Sequence, residues 1–542
     1  MQPNANGQRF CTDSGIPLKA VYTREDIADG DPDLTLGLPG SAPFTRGVYP
    51  NMYRDRPWRI FQLSGTGTPE DEGARIKYLL SKGETGFIME SDISTWDMLD
   101  IDYPDVAARP DEVGMYGPPL MSLRDYEIAL DGIPIEKLYA HPGGVVPMQG
   151  PYGAACYFAL AENRGIPIGK LSGTGESDFF LGYLSAVRTK PVPPAAGLRL
   201  SCDLVEFCLA NVPKFIPVSI STYNARENGL PAWEELALSL ANATAYFDEI
   251  LARGRFKIDD FAHTIGGFGL ASDRDFFEEI AKLRAGRRMW YKLLHDRYGA
   301  RNERALKMRV HVVTNGSNYT HQQPLNNIVR GTCQALAAVL AGVQSMGISA
   351  YDEAICTPSE AAHAISLNTH HILQNEVNVT NVVDPLGGSY FVEWLTNEVE
   401  RRAWDYMQQI EDNGGFIKAL DSGWLHRESM RAMVEREQRT NNGQRRTVGV
   451  NCYAAEEERH KIEVFRHNPD TFQIQMDRLR RLREERDNER VGSTLVALRE
   501  ACNAGENVMP PLIAAIKAYA TIGEIGQTFR EAFSVWKVPV PI

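Results

Sequence analysis

The chain has 542 residues, 43% of them hydrophobic and 23% charged, with a formal net charge of −13. That length is too great for one simple domain and long enough to bury a large core. The acidic balance argues against general affinity for nucleic acid or an anionic membrane, so an anionic ligand needs a local basic pocket. No run of 18 apolar residues occurs, the opening MQPNANGQRF lacks the apolar stretch of an export signal, and the eight cysteines form no Cys-x-x-Cys pair. These features predict a cytoplasmic protein with reduced thiols, no membrane anchor and no metal site.

Residues 1–57 are rich in Pro, Gly and Asp and read as an extended N-terminal arm, with a disordered tail as the alternative; Tyr49, Met52, Tyr53 and Trp58 supply anchors that favour packing. From 58 to 400, short apolar runs alternate with helical patterns. Strands are expected at GFIME (86–90), FIPVSIS (215–221), MRVHVVT (308–314) and VTNVV (379–383), and helices at 233–254, 276–290 and 328–344. Strand followed by helix over some 300 residues implies an α/β fold with a parallel sheet, and the length suits a (β/α)8 TIM barrel better than an open doubly wound sheet. A barrel carries its reactive groups at the C-terminal strand ends, which here are polar: Ser221 to Asn224, His311 to Asn315, and Asp384. Residues 401–542 form a helical C-terminal region, with helices over 475–490 and 510–533. The arginines of the first alternate with acids, as on a solvated face rather than a nucleic-acid site.

Leu-Ser-Gly-Thr-Gly occurs at 63–67 and 171–175, but neither copy continues into a P-loop or a Gly-x-Gly-x-x-Gly fingerprint. His370 and His371 are adjacent on an expected helix and face different directions, which makes a shared metal improbable. Composition and spacing therefore reach a soluble barrel enzyme and no particular reaction.

Six segments carry more: FTRGVYPNMYRDRPWRIFQLSG (44–65), LDGIPIEKL (130–138), NVPKFIPVSISTYNARENG (211–229), FFEEIAKLRAGRRMWYKLL (276–294), QSMGISAYDEA (344–354) and DPLGGSYFVEWLTNEVE (384–400). In order and spacing they resemble the large, barrel-bearing subunit of the methylmalonyl-CoA mutase family, in the split form of the isobutyryl-CoA and 2-hydroxyisobutyryl-CoA mutases. The resemblance implies a radical carbon-skeleton rearrangement of an acyl-CoA substrate with adenosylcobalamin as cofactor. The cobalamin would be bound mainly by a separate small subunit bearing the Asp-x-His-x-x-Gly motif, which this sequence lacks. It further implies an α2β2 assembly, a GTPase chaperone as an additional partner, and a pantetheine chain threading the barrel between small or polar residues. By the same resemblance Tyr49, Met52, Arg56 and Arg284 contact CoA, and Gln62 and Gln344 line the substrate pocket with His311. Gly65, Glu227, Ser349 and Glu353 fall on the cofactor side. Read without the resemblance, Arg56 and Arg284 are equally surface ion-pair residues, and His311 a satisfied buried histidine.

The departures from the family pattern cluster at the acyl group. Leu63 stands in place of a tyrosine that packs on the substrate, Phe61 in place of an arginine, and Ala186 in place of the arginine that binds the free carboxylate. Without a clamp, burying a second carboxylate is prohibitive, so methylmalonyl-CoA is not the expected substrate. Asn224 replaces the histidine that bonds the thioester carbonyl, and Glu176 replaces a glutamine beside it. Asparagine donates one hydrogen bond and is no acid near neutral pH, whereas a carboxyl can bind a hydroxyl or an ammonium group, or be held protonated by burial. Two alternatives stay open at this stage: a mutase for a substituted dicarboxylyl-CoA with Arg59 or Arg188 as a new clamp, and a catalytically lapsed scaffold.

Overall fold

The computed structural model describes residues 11–27, 36–63, 65–144, 146–184, 190–454, 464, 466–537 and 539. Its frame is a set of short parallel strands: β1 (Arg59–Ile60), β2 (Gly86–Ile88), β3 (Tyr139–His141), β4 (Ser172–Thr174), β5 (Phe215–Ile216), β6 (Ser219–Ser221), β7 (Gly267–Ser272), β8 (Arg309–Thr314) and β9 (Ser345–Gly347). They pair in the orders β2-β3-β4-β5 and β1-β9-β8-β7-β6.

Two joins close these into a ring. β5 and β6 are pieces of one strand interrupted at Pro217, which has no N–H to give a ladder. Gly175 spans the break, its N–H donating to Ile216 O at 2.8 Å and its carbonyl accepting from Ser219 N at 2.9 Å. On the other side Thr85 N donates to Ile60 O at 3.2 Å and Phe61 N to Met346 O at 3.1 Å, so β1 bridges β2 and β9. The result is the expected (β/α)8 barrel.

Strand alternation decides what fills it. Val218, Ile220, Phe268, Leu270, Val310, Val312 and Met346 point outward into the core shared with the helices. The alternate, axial positions therefore fall to Ser219 and Ser221, Gly267 and Gly269, His311, and Ser345 and Gly347, with Ser172 and Thr174 on β4. A barrel interior is ordinarily packed by layers of branched aliphatic side chains. Here Tyr139, Ser172, Thr174, Arg309, His311 and Ser345 are all partly accessible, although they sit on central strands. The axis is lined by small and polar residues rather than packed with aliphatic layers, as the resemblance implies.

The three expected helices form over Ala232–Ala252, Phe276–Lys292 and Asn326–Leu340. VTNVV (379–383) is not a strand: Asn378 and Asp384 take positive φ on either side of it and Asn381 N closes a turn onto Asn378 O, so local turn chemistry overrides the β-branched residues. Helix Tyr390–Asp412 runs through residue 400 and packs on Ala232–Ala252 and Phe276–Lys292. The expected helix over 475–490 divides into Thr471–Glu485 and Asn488–Ala504, because Asp487 accepts from Arg490 N at 3.0 Å and caps the second. With Met509–Lys517 and Ile522–Phe533, these helices share a hydrophobic core with the half of the barrel that holds β2 to β5.

The described part of the arm is packed. Phe44, Val48, Met52 and Tyr53 are buried, Tyr53 Oη donates to Val343 O at 2.8 Å, and Arg287 donates to Phe44 O and Thr45 O, both at 2.9 Å.

Candidate active site

At the N-terminal end of the axis, the Arg59 guanidinium lies 4.2 Å from the centre of the Tyr139 ring. Arg309 stands one axial position before His311 on β8, and Tyr49 is partly buried nearby. Met52 packs against Gly342, in the loop entering β9, while Arg56 is exposed with a side chain free of partners among the described residues. Arg56 thus remains available to an anion at this mouth.

Arg284 does not. It is fully buried, donating to Asp384 and Glu393 at 2.5 Å each, and so ties helix Phe276–Lys292 to the segment after residue 383. Removing one partner of a buried pair leaves uncompensated charge. Arg284→Met is expected to lower unfolding free energy by about 3–5 kcal/mol in urea titration, with the apparent affinity for CoA esters unchanged. Gln344 is likewise engaged with main chain, accepting from Val310 N at 2.9 Å and donating to Gly342 O at 2.8 Å.

Midway along the axis, the Phe61 ring lies 5.7 Å from Tyr139 and 6.2 Å from His311. His311 Nδ1 meets Ser345 Oγ at 3.0 Å, and burial pushes its pKa down to about 4. Next come His141 on β3 and Glu176 just past β4, with His141 Nε2 3.9 Å from Glu176 Oε2. Among the described residues neither ring nitrogen of His141 has a hydrogen-bond partner; burial and then His311 hold it neutral, with a pKa of about 4. Burial and then Asp178 push the Glu176 carboxyl up to about 7.

The axis opens at its C-terminal end into a cavity of about 760 Å³. One wall is Gln62, Leu63, Gly65 and Glu90; the other is Gly347, Ser349 and Glu353, with Arg75 and His363 behind. Leu63 is 42% exposed to this space. A Cβ at Gly65 would fall 2.8 Å from Glu90 Cβ, so only glycine lets the β1 loop cross that side chain. Glu90 is raised well above the usual carboxylate range by burial, then Glu176 and Glu72. Beneath it Glu84, pushed up to about 8 by burial, accepts from Gln62 N at 2.5 Å, while Gln62 Nε2 is buried without a partner. Arg75 Nη1 lies 3.4 Å from His363 Nδ1.

Glu353 is exposed to the cavity, and partial desolvation, Glu227 and Asp352 push it up to about 7. Glu227 is fixed by Gly316 N at 2.7 Å, Ser317 N at 2.8 Å and the Tyr223 hydroxyl, which sets the loop after β8. Ser349 Oγ donates to Thr314 O at 2.9 Å. Asn224 begins the first turn after β6, partly exposed, its side chain without a hydrogen bond among the described residues. Ala186 and Arg188 lie outside the described residues.

The structure thus gathers Gln62, Leu63, Gly65, Ser349 and Glu353 in one cavity, joins Phe61, His311 and Glu176 below it, and leaves Tyr49, Met52 and Arg56 at the far mouth. Sequence reasoning missed His141, Glu90 and Arg75. Glu90 had a signal, as the acid ending the apolar run GFIME; His141 ends a strand too short to be seen.

The family described as methylmalonyl-CoA mutase matches residues 11–535. A 2-hydroxyisobutanoyl-CoA mutase large subunit from Aquincola tertiaricarbonis is 37% identical over 535 residues, covering 98% of this chain and 93% of that protein. The methylmalonyl-CoA mutase of Cereibacter sphaeroides is 36% identical over 523 residues (96% and 72%), and that of Homo sapiens 35% over 532 (97% and 69%). With that similarity along almost its whole length, and a barrel whose axis is lined by small residues, the chain belongs to the methylmalonyl-CoA mutase family and is an acyl-CoA mutase, an isomerase.

Proposed function

We propose that the chain is the barrel subunit of an adenosylcobalamin-dependent mutase for a CoA thioester whose acyl part carries a hydroxyl group rather than a second carboxylate. The carrying observation is that Glu90, whose carboxyl burial and neighbouring acids push well above the usual carboxylate range, and Leu63 line the same cavity wall. A protonated carboxyl both donates to and accepts from a hydroxyl, whereas it has no charge with which to hold a carboxylate. The similarity to a 2-hydroxyisobutanoyl-CoA mutase large subunit supports the same class.

The lining of small and polar residues supports the route of the pantetheine arm, with Arg56, Arg59 and Arg309 supplying positive charge at the outer mouth. Held this way, the acyl group reaches the C-terminal end already oriented and shielded from water. The cofactor side of the cavity fits a nucleoside: Glu353 and Ser349 offer acceptors to ribose hydroxyls, Gln62 Nε2 is an unpaired donor, and Gly65 and Gly347 keep the walls thin. When bound, adenosylcobalamin supplies the radical chemistry that removes a hydrogen atom from the acyl chain. Similarity to a protein named a large subunit supports a separate small subunit that brings it.

A dicarboxylic reading is favoured by the guanidiniums of Arg75 and Arg466, which both line the same cavity. Arg59, by contrast, is stacked on Tyr139 at the opposite end of the axis. The test incubates the chain with a cobalamin-binding small subunit and adenosylcobalamin, and screens branched, hydroxylated and dicarboxylic acyl-CoAs by mass spectrometry. Isomerisation of a hydroxyacyl-CoA without turnover of methylmalonyl-CoA is expected. Preference for a dicarboxylyl-CoA would overturn the substrate class in favour of Arg75 or Arg466.

A further inference from the structure

We propose that Glu176 and His141 together replace the thioester-binding histidine that Asn224 displaces, the protonated Glu176 carboxyl donating to the thioester carbonyl while His141 Nε2–H holds its other oxygen. The inference rests on the mutase reading above and deepens it by assigning the carbonyl donor.

Geometry carries it. Glu176 sits at the C-terminal end of β4 with its side chain 24% exposed, so one face reaches the axis. Across from it β7 presents Gly269, whose absent Cβ would lie 3.5 Å from Glu176 Oε1, so the strand puts no side chain against the carboxyl at that position. His141 is the opposite case. Its side chain is 6% exposed, so it cannot itself reach a ligand, yet both ring nitrogens lack partners among the described residues. A buried polar group left unpaired is costly, and Glu176 Oε2 lies 3.9 Å from Nε2. A small turn of the carboxyl toward a bound carbonyl brings that oxygen within hydrogen-bond reach of Nε2. His141 is thus a positioning residue acting through Glu176.

The surroundings keep the proton on Glu176. Asp178, two residues on, is anchored by Asn242 at 2.8 Å and by Ser221 N at 3.1 Å. Glu90 faces from β2, and His141 and His311 are neutral. Ser221 from β6 is also neutral. No cation among the described residues pairs with Glu176, and its pKa of about 7 follows from burial and Asp178. A carboxylic acid kept neutral in an apolar site is an effective hydrogen-bond donor to a carbonyl. Asn224 retains its amide N–H donors, but its side chain makes no hydrogen bond among the described residues to fix its direction.

The test reads the bound carbonyl directly. Isobutyryl-CoA labelled with 13C at the thioester carbonyl is bound to the full chain and followed by infrared difference spectroscopy. The carbonyl band is expected to move to lower frequency on binding, to lose that shift in Glu176→Ala, to keep it in Glu176→Gln, and to be little changed in Asn224→Ala. Because the donor is the protonated form, the wild-type shift is present below about pH 7 and lost above it, while Glu176→Gln shows no such loss. His141→Ala removes a donor that favours the ionised carboxylate, so its midpoint moves to higher pH. In turnover, Glu176→Ala is expected to lower kcat about 100-fold and His141→Ala about tenfold, with KM nearly constant. A bound band whose shift survives Glu176→Ala, or ignores pH, overturns this assignment alone. Absence of any bound band, with no displacement by CoA, overturns the mutase reading as well.

Discussion

Glu90→Ala is expected to lower kcat/KM for a hydroxyacyl-CoA about 100-fold, leave an unsubstituted branched acyl-CoA turned over as well as before, and leave folding stability intact or slightly raised. The first effect follows from loss of a hydrogen bond to a largely desolvated carboxyl, worth about 2–3 kcal/mol. The second follows because an unsubstituted chain never uses that bond, and the deleted carboxyl only widens the wall beside Leu63. The third follows because Glu90 stands far above the usual carboxylate range: burial penalises it, and Glu176 and Glu72 add repulsion. Steady-state kinetics on the two thioesters and a urea titration check all three. Equal losses on both substrates would assign Glu90 to general architecture instead of recognition of a hydroxyl.

Ser345→Phe is expected to abolish measurable acyl-CoA binding, a loss of at least about 1,000-fold or 4 kcal/mol, while far-UV circular dichroism stays that of the parent. Ser345 faces the axis on β9, touching His311 at 3.0 Å, so a ring placed there fills the passage between Phe61 and Glu176. Overpacking a site with free volume costs stability by about 1–3 kcal/mol at most, which leaves the barrel folded. Thr174→Phe, on β4, supplies a second plug of the same axis. Calorimetric titration with CoA thioesters decides: retained affinity in both folded variants would place the pantetheine outside the barrel.

How much of this was legible in the sequence follows the length of each element. Ala232–Ala252 and Phe276–Lys292 carry several turns of apolar periodicity and were found nearly to the residue. β1, β3, β4 and β9 are two or three residues long and carry at most one aliphatic or Met residue each (Ile60, Ala140, Met346), so they have no apolar run to detect. VTNVV misled for the complementary reason, having β-branched residues without a sheet to join. The site was legible chiefly through the resemblance, which pointed to Gln62, Leu63, Gly65, Glu176, His311 and Glu353. It could not show which side chains are already engaged: Arg284, a CoA contact by the resemblance, is held between Asp384 and Glu393. It was silent about His141, since a lone histidine before Pro-Gly-Gly carries no motif.

These observations meet in one arrangement: a thioester drawn along the barrel axis, with its carbonyl at Glu176 and its acyl group beneath Glu90 and Leu63. A crystal structure of the chain with 2-hydroxyisobutanoyl-CoA bound tests it most directly. The account predicts continuous density from the Arg59–Tyr139 mouth to the cavity, the thioester oxygen within hydrogen-bond distance of Glu176 and the hydroxyl at Glu90. Density for the CoA on the outer surface, with the axis still unfilled, would contradict it.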